Sequence, residues 1–330
     1  MAESLILFDR YIARPRPLGV RLLVVALLYG SIFLLAALDG VLSELRNSFI
    51  LRVLLLAPTV SLYIWFVAPV MARYGQQVVD SLRPLITLDD EAFEQQYSST
   101  QDIKPVYEIM AFVGGLILGI AATLTSGFDQ LTSWLGAYWL LTAGMMYGLL
   151  VWVILVSVLN TRLISKLHQM IEEFDIFDPR PFEPVGKQSL LLALVFIGGI
   201  SISFLFSFRV AILSSAYFWL EYGMLVLLVL LIFFLNMRPT HRVMAAQKKS
   251  ELEPVRDQIY HSSRELQSRL EQNQPTDELP GVIQALAVME GHLQNARTWP
   301  YNTGILRALV FSVLIPLLSV LARVLVELIR

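Results

Sequence analysis

Seven long apolar segments dominate this chain of 330 residues. They cover residues 18–38, 51–71, 106–125, 134–158, 189–208, 216–237 and 304–328. A helix that crosses hydrocarbon about 30 Å thick requires roughly 20 apolar residues. Each segment is continuously apolar, whereas the strands of a membrane barrel alternate between apolar and polar residues. The pattern therefore predicts an all-α, polytopic membrane protein with seven transmembrane helices.

The composition agrees with this class. Hydrophobic residues make up 56% of the chain and charged residues 16%, which is too apolar for an ordinary soluble domain. A secretory signal peptide is the alternative interpretation of the first segment. That segment has the full length of a span, and Leu35-Ala36-Ala37 is a poor cleavage site. We therefore expect the first segment to be a retained helix.

The distribution of basic residues predicts the orientation in the membrane. Of the 25 Lys and Arg residues, only five fall on one of the two sides. These five are Arg46, Arg52, Arg209, Arg323 and Arg330. Because basic loops remain in the cytoplasm, we expect a cytoplasmic N-terminus, an external C-terminus and a location in the cell membrane.

The cytoplasmic connections are long and the external ones short, so the inner connections are expected to fold as helical extensions. Residues 238–302 predict an antiparallel helical hairpin, because apolar residues recur there at helical spacing around a break rich in Pro and Gly. We divide the chain into a six-span bundle (1–237), this hairpin (238–302) and a seventh span (303–330). The hairpin is expected to be the anchor of a homo-oligomer, through Leu252, Val255, Ile259, Leu266, Leu286 and Leu293.

The hairpin formed by the third and fourth apolar segments resembles the hairpin formed by the fifth and sixth. The run Phe-Val-Gly-Gly at 112–115 matches Phe-Ile-Gly-Gly at 196–199, and Leu-Asn at 159–160 matches Leu-Asn at 235–236. A parallel duplication and a chance similarity between apolar segments both remain open.

The sequence offers little for catalysis. It has no cysteine, which excludes disulfides, thiolate metal sites and thiol chemistry. The histidines, His168, His241, His261 and His292, do not have the spacing of metal ligands, and we expect them on the surface. No nucleophile elbow, phosphate loop or basic block is present. We expect no enzyme activity, no cofactor, no metal and no nucleic-acid partner.

Small and polar residues form a stripe along the last segment. They are Gly304, Ala308, Ser312, Pro316, Ser319 and Arg323, at spacings of three and four. One interpretation is a pore lining, with the serines and the arginine facing water. The other is a packing seam, since small residues let membrane helices approach closely. Gly115 and Gly119 in the third segment and Gly144 and Gly148 in the fourth predict seams of that kind.

The layout resembles the seven-transmembrane ion-channel superfamily that includes insect odorant and gustatory receptors. The similarity lies in the number of spans, the orientation, the helical cytoplasmic anchor and a last helix in two pieces, 282–297 and 304–328. The Thr-Tyr and Gln-Phe pairs typical of the last gustatory helix are absent, so no family residue is transferred. The resemblance implies an oligomeric channel whose last helix lines the pore.

We therefore expect an oligomeric ion channel lined by the last helix, with the lipid bilayer and further copies of the chain as its partners. The alternative is a non-conducting membrane scaffold or sensor whose cytoplasmic hairpin binds a partner protein. A small-molecule transporter is a third hypothesis. The sequence does not identify the ion or ligand.

Overall fold

Helices form the framework of the part of the protein that the structure describes. The computed structural model describes residues 16–45, 49–101, 105–125, 133–171, 174–207, 216–276 and 278–329. Its helices are α1 (Leu18–Leu38), α2 (Leu42–Leu45), α3 (Phe49–Leu82), α4 (Asp90–Gln101), α5 (Pro105–Thr125), α6 (Trp134–Gln169), α7 (Glu183–Ser207), α8 (Ala216–Glu271), α9 (Leu279–Asn295) and α10 (Thr303–Ile329). Within these ranges, the only β-structure is one isolated bridge between Ile86 and Ile171.

Seven helices within the described ranges are long and apolar enough to span a membrane: α1, α3, α5, α6, α7, α8 and α10. Their outer surfaces carry large apolar side chains that none of the described residues covers. On α1, for example, Leu22 is 60% exposed and Leu27 is 63% exposed. Apolar surface of this extent is suited to contact with lipid. The prediction of an all-α, multi-pass membrane protein with seven apolar helices is confirmed.

Glycines on facing turns bring the backbones of α5 and α6 into contact. A Cβ added to Gly115 would lie 2.6 Å from the carbonyl oxygen of Tyr147 and 2.8 Å from Cα of Gly148. A Cβ added to Gly119 would lie 2.9 Å from Cα of Gly144. The predicted seams in the third and fourth segments are therefore the two sides of one close helix contact.

Helix α7 lies centrally in the bundle. It packs on α3, α8 and α10, while α6 packs on α3, α5 and α8. Helix α1 is peripheral and contacts α3 and α6. Asp39, just after α1, accepts hydrogen bonds from the backbone N–H groups of Trp134 (3.1 Å) and Leu135 (2.7 Å). A carboxylate at this position stabilises the start of α6, where backbone N–H groups lack helical partners.

One side of the bundle carries most of the Lys and Arg residues and is called the basic side here. The connections on this side share one hydrophobic core. Buried side chains come from the end of α3, from α6, from the turn before α7, and from α8 and α9. They include Leu82, Leu167, Phe182, Met244 and Leu293. As predicted, the helix of the second span continues beyond its apolar segment and ends before Pro84. Asp89 accepts a hydrogen bond from the N–H of Ala92 (2.7 Å) and so caps the start of α4.

Helices α8 and α9 run antiparallel. Arg256 Nε contacts Glu290 Oε1 at 2.8 Å, and Lys248 Nζ donates to the carbonyl oxygen of Gln294 at 2.6 Å. The hydrogen bond from Arg256 holds the pKa of the Glu290 carboxyl below its usual value. The boundary drawn at residue 238 falls inside α8, which continues through Pro239 and Pro254 without interruption. The sixth span and the first arm of the hairpin are thus one helix.

The residues expected to carry oligomerisation pack within this chain. Val255 and Leu293 are buried in the core on the basic side, and Leu252, Ile259 and Leu286 pack against it. Leu266, nearer the tip of the hairpin, is partly buried. Their contacts join the hairpin to its own bundle, and contact of these side chains with another copy remains a prediction.

Candidate functional site

An apolar cavity of about 500 Å³ lies among α3, α6, α7 and α8. Its walls come from residues 56–64 of α3, 146–154 of α6, 195–204 of α7 and 225–229 of α8. Ile154 and Leu228 on its rim are 46% and 44% exposed, so the cavity opens sideways towards the lipid-facing surface. Its size falls within the range of small-molecule sites, about 300–1,000 Å³.

Adjacent glycines on α7 shape this cavity. A Cβ on Gly198 would lie 2.1 Å from the hydroxyl oxygen of Tyr63, so the glycine makes room for that ring. The Tyr63 hydroxyl donates to the carbonyl oxygen of Leu194 (3.3 Å). A Cβ on Gly199 would meet no atom within 4 Å, because Gly199 faces open space on the cavity wall. The cavity thus combines an apolar lining with a few polar groups, which include Tyr63 and Ser203.

A second, much smaller cavity lies further along the same four helices, towards the basic side. Its volume is about 20 Å³, enough for one water-sized group, and five of its nine lining residues carry an amide or a hydroxyl. The polar residues are Ser157, Asn160, Gln188, Ser189 and Asn236. Gln188 Oε1 is buried and has no hydrogen-bond partner among the described residues. Neutral oxygens and amide N–H groups in such a space suit a small neutral guest.

The two Asn residues of the similar hairpins meet at this small cavity. Asn160 comes from α6 and Asn236 from α8, and both line it. Thr161 Oγ1 donates a hydrogen bond to Asn236 Oδ1. These two positions match each other in the sequence, and the fold brings both to one cavity. Whether the hairpins arose by duplication remains a prediction.

One buried acid was missed by the sequence reasoning. Glu108, in the first turn of α5, is 1% exposed, and Trp152 Nε1 of α6 donates to its Oε1 over 3.4 Å. The available signal was a single carboxylate just inside an apolar segment, which is costly unless it has partners.

The stripe on the last helix is divided by its packing. Gly304 and Ala308 are exposed, whereas Ser312 is 3% exposed and Pro316 is buried. The hydroxyl of Ser312 donates to the carbonyl oxygen of Leu309 in its own helix (2.7 Å). The buried positions of Ser312 and Pro316 agree with a packing seam. The side chains of Ser319 and Arg323 are not among those that the structure describes. The pore-lining assignment of the stripe remains a prediction.

Two histidines lie in packed surroundings, contrary to the expectation of surface positions. His168 is 3% exposed, and its ring stacks on Phe182 with the centroids 5.8 Å apart. His241 stacks on Trp299 at 4.0 Å. The expectation failed because the helical extensions fold onto one another, which covers faces that look polar in sequence. In the described ranges, no three His, Cys, Asp or Glu side chains form a group that would hold a metal ion.

Comparison with known proteins gives no family for this chain: no family model matches it, and neither do curated proteins or solved structures.

Proposed function

We propose that this membrane protein is a sensor that binds a lipophilic small molecule in the apolar cavity among α3, α6, α7 and α8. The observation that carries the proposal is the cavity itself, about 500 Å³ in volume and open to the lipid-facing surface. A lipophilic compound concentrates in the bilayer and can enter from the side without crossing water. Tyr63, Tyr147 and Ser203 supply the few polar groups that orient a ligand in such a site.

Replacing Gly199 with leucine is the sharpest test of the cavity. The new side chain has open space around its Cβ and would fill the volume in which a ligand lies. The matched control is Gly223→Leu, because Gly223 is exposed on α8 and its Cβ would also meet no atom within 4 Å. The measurement is the melting temperature of the purified protein with primary alcohols from hexanol to dodecanol.

Wild type and Gly223→Leu should show a saturable rise in melting temperature that is largest at one chain length. Gly199→Leu should lose this rise, because the cavity is occupied by its own side chain. Nonspecific effects of the alcohols on detergent act on all three proteins alike. An equal response in Gly199→Leu and wild type would rule out the cavity as the binding site.

The second candidate is an oligomeric ion channel in which α10 lines a shared pore. It is favoured by the position of α10, which packs mainly on α7 and leaves much of its surface uncovered. Phe311, Leu318 and Leu321 on that surface are 62%, 60% and 57% exposed. Such a helix is available to other copies of the chain. A constriction formed by its apolar side chains would be able to gate by dewetting.

Cysteine labelling tests the channel, because the chain contains no cysteine of its own. A charged methanethiosulfonate reagent should change the conductance of reconstituted Ala308→Cys, since Ala308 is exposed. It should leave Ser312→Cys unchanged, because Ser312 is buried within the chain. The absence of any conductance, or currents that ignore the reagent at Ala308→Cys, would refute a pore on this face of α10.

Both candidates use the predicted orientation, with the N-terminus and the helical connections in the cytoplasm of a cell. The scaffold alternative would use the surface of the hairpin that its own core leaves free. On α9, Val288 and Met289 are 56% and 46% exposed. The sensor is the first candidate because its cavity is built by side chains from four helices.

A further inference from the structure

A polar groove of about 350 Å³ lies between α6 and α8, just beyond the apolar part of the sixth span. Its lining includes Ser165, His168 and Gln169 from α6 and Arg238 and Arg242 from α8. The apolar run of α8 ends directly before Arg238. The groove therefore lies at the level where lipid tails give way to headgroups, on the side of the molecule that is rich in basic residues.

The two arginines supply positive charge that no described carboxylate neutralises. Arg238 and Arg242 are one helical turn apart, both are exposed, and neither has an ion-pair partner among the described carboxylates. Other arginines of this protein are paired, such as Arg83 with Asp90 and Arg256 with Glu290. Two unpaired guanidinium groups beside one groove form a site of attraction for an anion.

The opposite wall adds neutral groups. Ser165 carries a hydroxyl and Gln169 an amide, and both belong to α6. His168 is buried there, and its Nδ1–H donates to the carbonyl oxygen of Ile164 (2.6 Å). Nε2 of the neutral ring is then an acceptor, so the hydrogen-bond donors that this wall offers an anion are those of Ser165 and Gln169. Guanidinium groups, which can donate two parallel hydrogen bonds, and neutral hydrogen-bond donors together recognise phosphate oxygens.

We propose that this groove binds a phosphate group, most directly that of an anionic phospholipid whose tails lie along α6 and α8. Basic pockets between membrane helices at the headgroup level are suited to anionic lipids. Inorganic phosphate carries the same chemistry and would contact the same side chains. The site does not depend on the apolar cavity, which lies elsewhere along these helices.

The test compares the full-length, delipidated protein with Arg238→Gln/Arg242→Gln. The matched control is Arg162→Gln/Lys166→Gln, which removes the same charge at the same spacing from exposed positions of α6 that do not line the groove. Melting temperature is titrated with phosphatidylglycerol, with phosphatidylcholine and with inorganic phosphate. Gly199→Leu is included, because failure of the apolar cavity would leave this groove intact.

Phosphatidylglycerol should stabilise wild type, Gly199→Leu and the control pair, and bind the groove variant at least about tenfold more weakly, since charge-assisted contacts are lost. The same selectivity with inorganic phosphate alone would support the phosphate site and identify its source as soluble. Equal responses in the groove variant and the control pair would overturn the proposal. If the double variant melts early in phosphatidylcholine, the two single changes replace it in the comparison.

Discussion

Replacing Gly115 with alanine is expected to destabilise the protein strongly, although alanine is the better helix former. The added Cβ would lie 2.6 Å from the carbonyl oxygen of Tyr147 and 2.8 Å from Cα of Gly148. Both atoms belong to the backbone, so no side chain can rotate away, and α5 and α6 must separate. Overpacking of this kind costs about 1–3 kcal/mol, which exceeds the gain in helix propensity of at most about 1 kcal/mol.

Gly114→Ala is the control for this prediction, because it makes the same change one residue earlier. A Cβ on Gly114 would meet no atom within 4 Å. Thermal unfolding of the purified protein should give a lower melting temperature for Gly115→Ala and an equal or higher one for Gly114→Ala. Similar melting temperatures for the two variants would contradict the close contact of α5 with α6.

Gly186→Ala should also have a large effect, at the junction between α7 and the segment that leads into α10. A Cβ on Gly186 would lie 2.1 Å from the carbonyl oxygen of Pro300 and 3.3 Å from Cδ1 of Ile305. The carbonyl is part of the backbone, so the whole segment before α10 must shift. We expect a loss of about 2 kcal/mol or more in the free energy of unfolding.

Trypsin provides a local measurement of that shift, because Arg297 is exposed in this segment. Cleavage after Arg297 should be faster in Gly186→Ala than in wild type. The control is Gly75→Ala, where the added Cβ would make an ordinary contact of 3.5 Å with Gln188 Nε2. If Gly186→Ala is cut no faster than Gly75→Ala, the tight junction described for α7 and α10 is wrong.

The helices were predictable because each transmembrane segment is defined by its own apolar length, without reference to its neighbours. The contact of α5 with α6 was predictable for a related reason, since Gly115 and Gly119 place small residues on one face. The sequence did not predict that α8 continues without interruption through Pro239, because tertiary packing on both sides of the proline stabilises the helix there. Local sequence rules describe a segment and not the surfaces that enclose it.

The candidate sites were largely hidden from the sequence for that reason. A stripe identifies residues that share a face, such as Ala308 and Ser312, but it does not say which neighbouring helix covers them. Ser312 is buried and Ala308 is exposed, although they lie one turn apart. The apolar cavity depends on the lateral arrangement of four helices, and the open space beside Gly199 is visible only once these helices are packed.

The length of α8 has a mechanical consequence. Its 56 residues form a rod about 84 Å long, and the apolar cavity touches it near Val229, in the first quarter of that length. The tip at Glu271 is 42 residues further on, a lever arm of about 63 Å. A tilt of about 5° at the cavity would swing that tip by about 5 Å if the rod stayed straight and the core packed on its residues 244–259 moved with it. Pro239 and Pro254 are the points where the rod would bend first. Binding of a small ligand in the apolar cavity would then move the tip of the hairpin by about the 5.4 Å pitch of one helical turn.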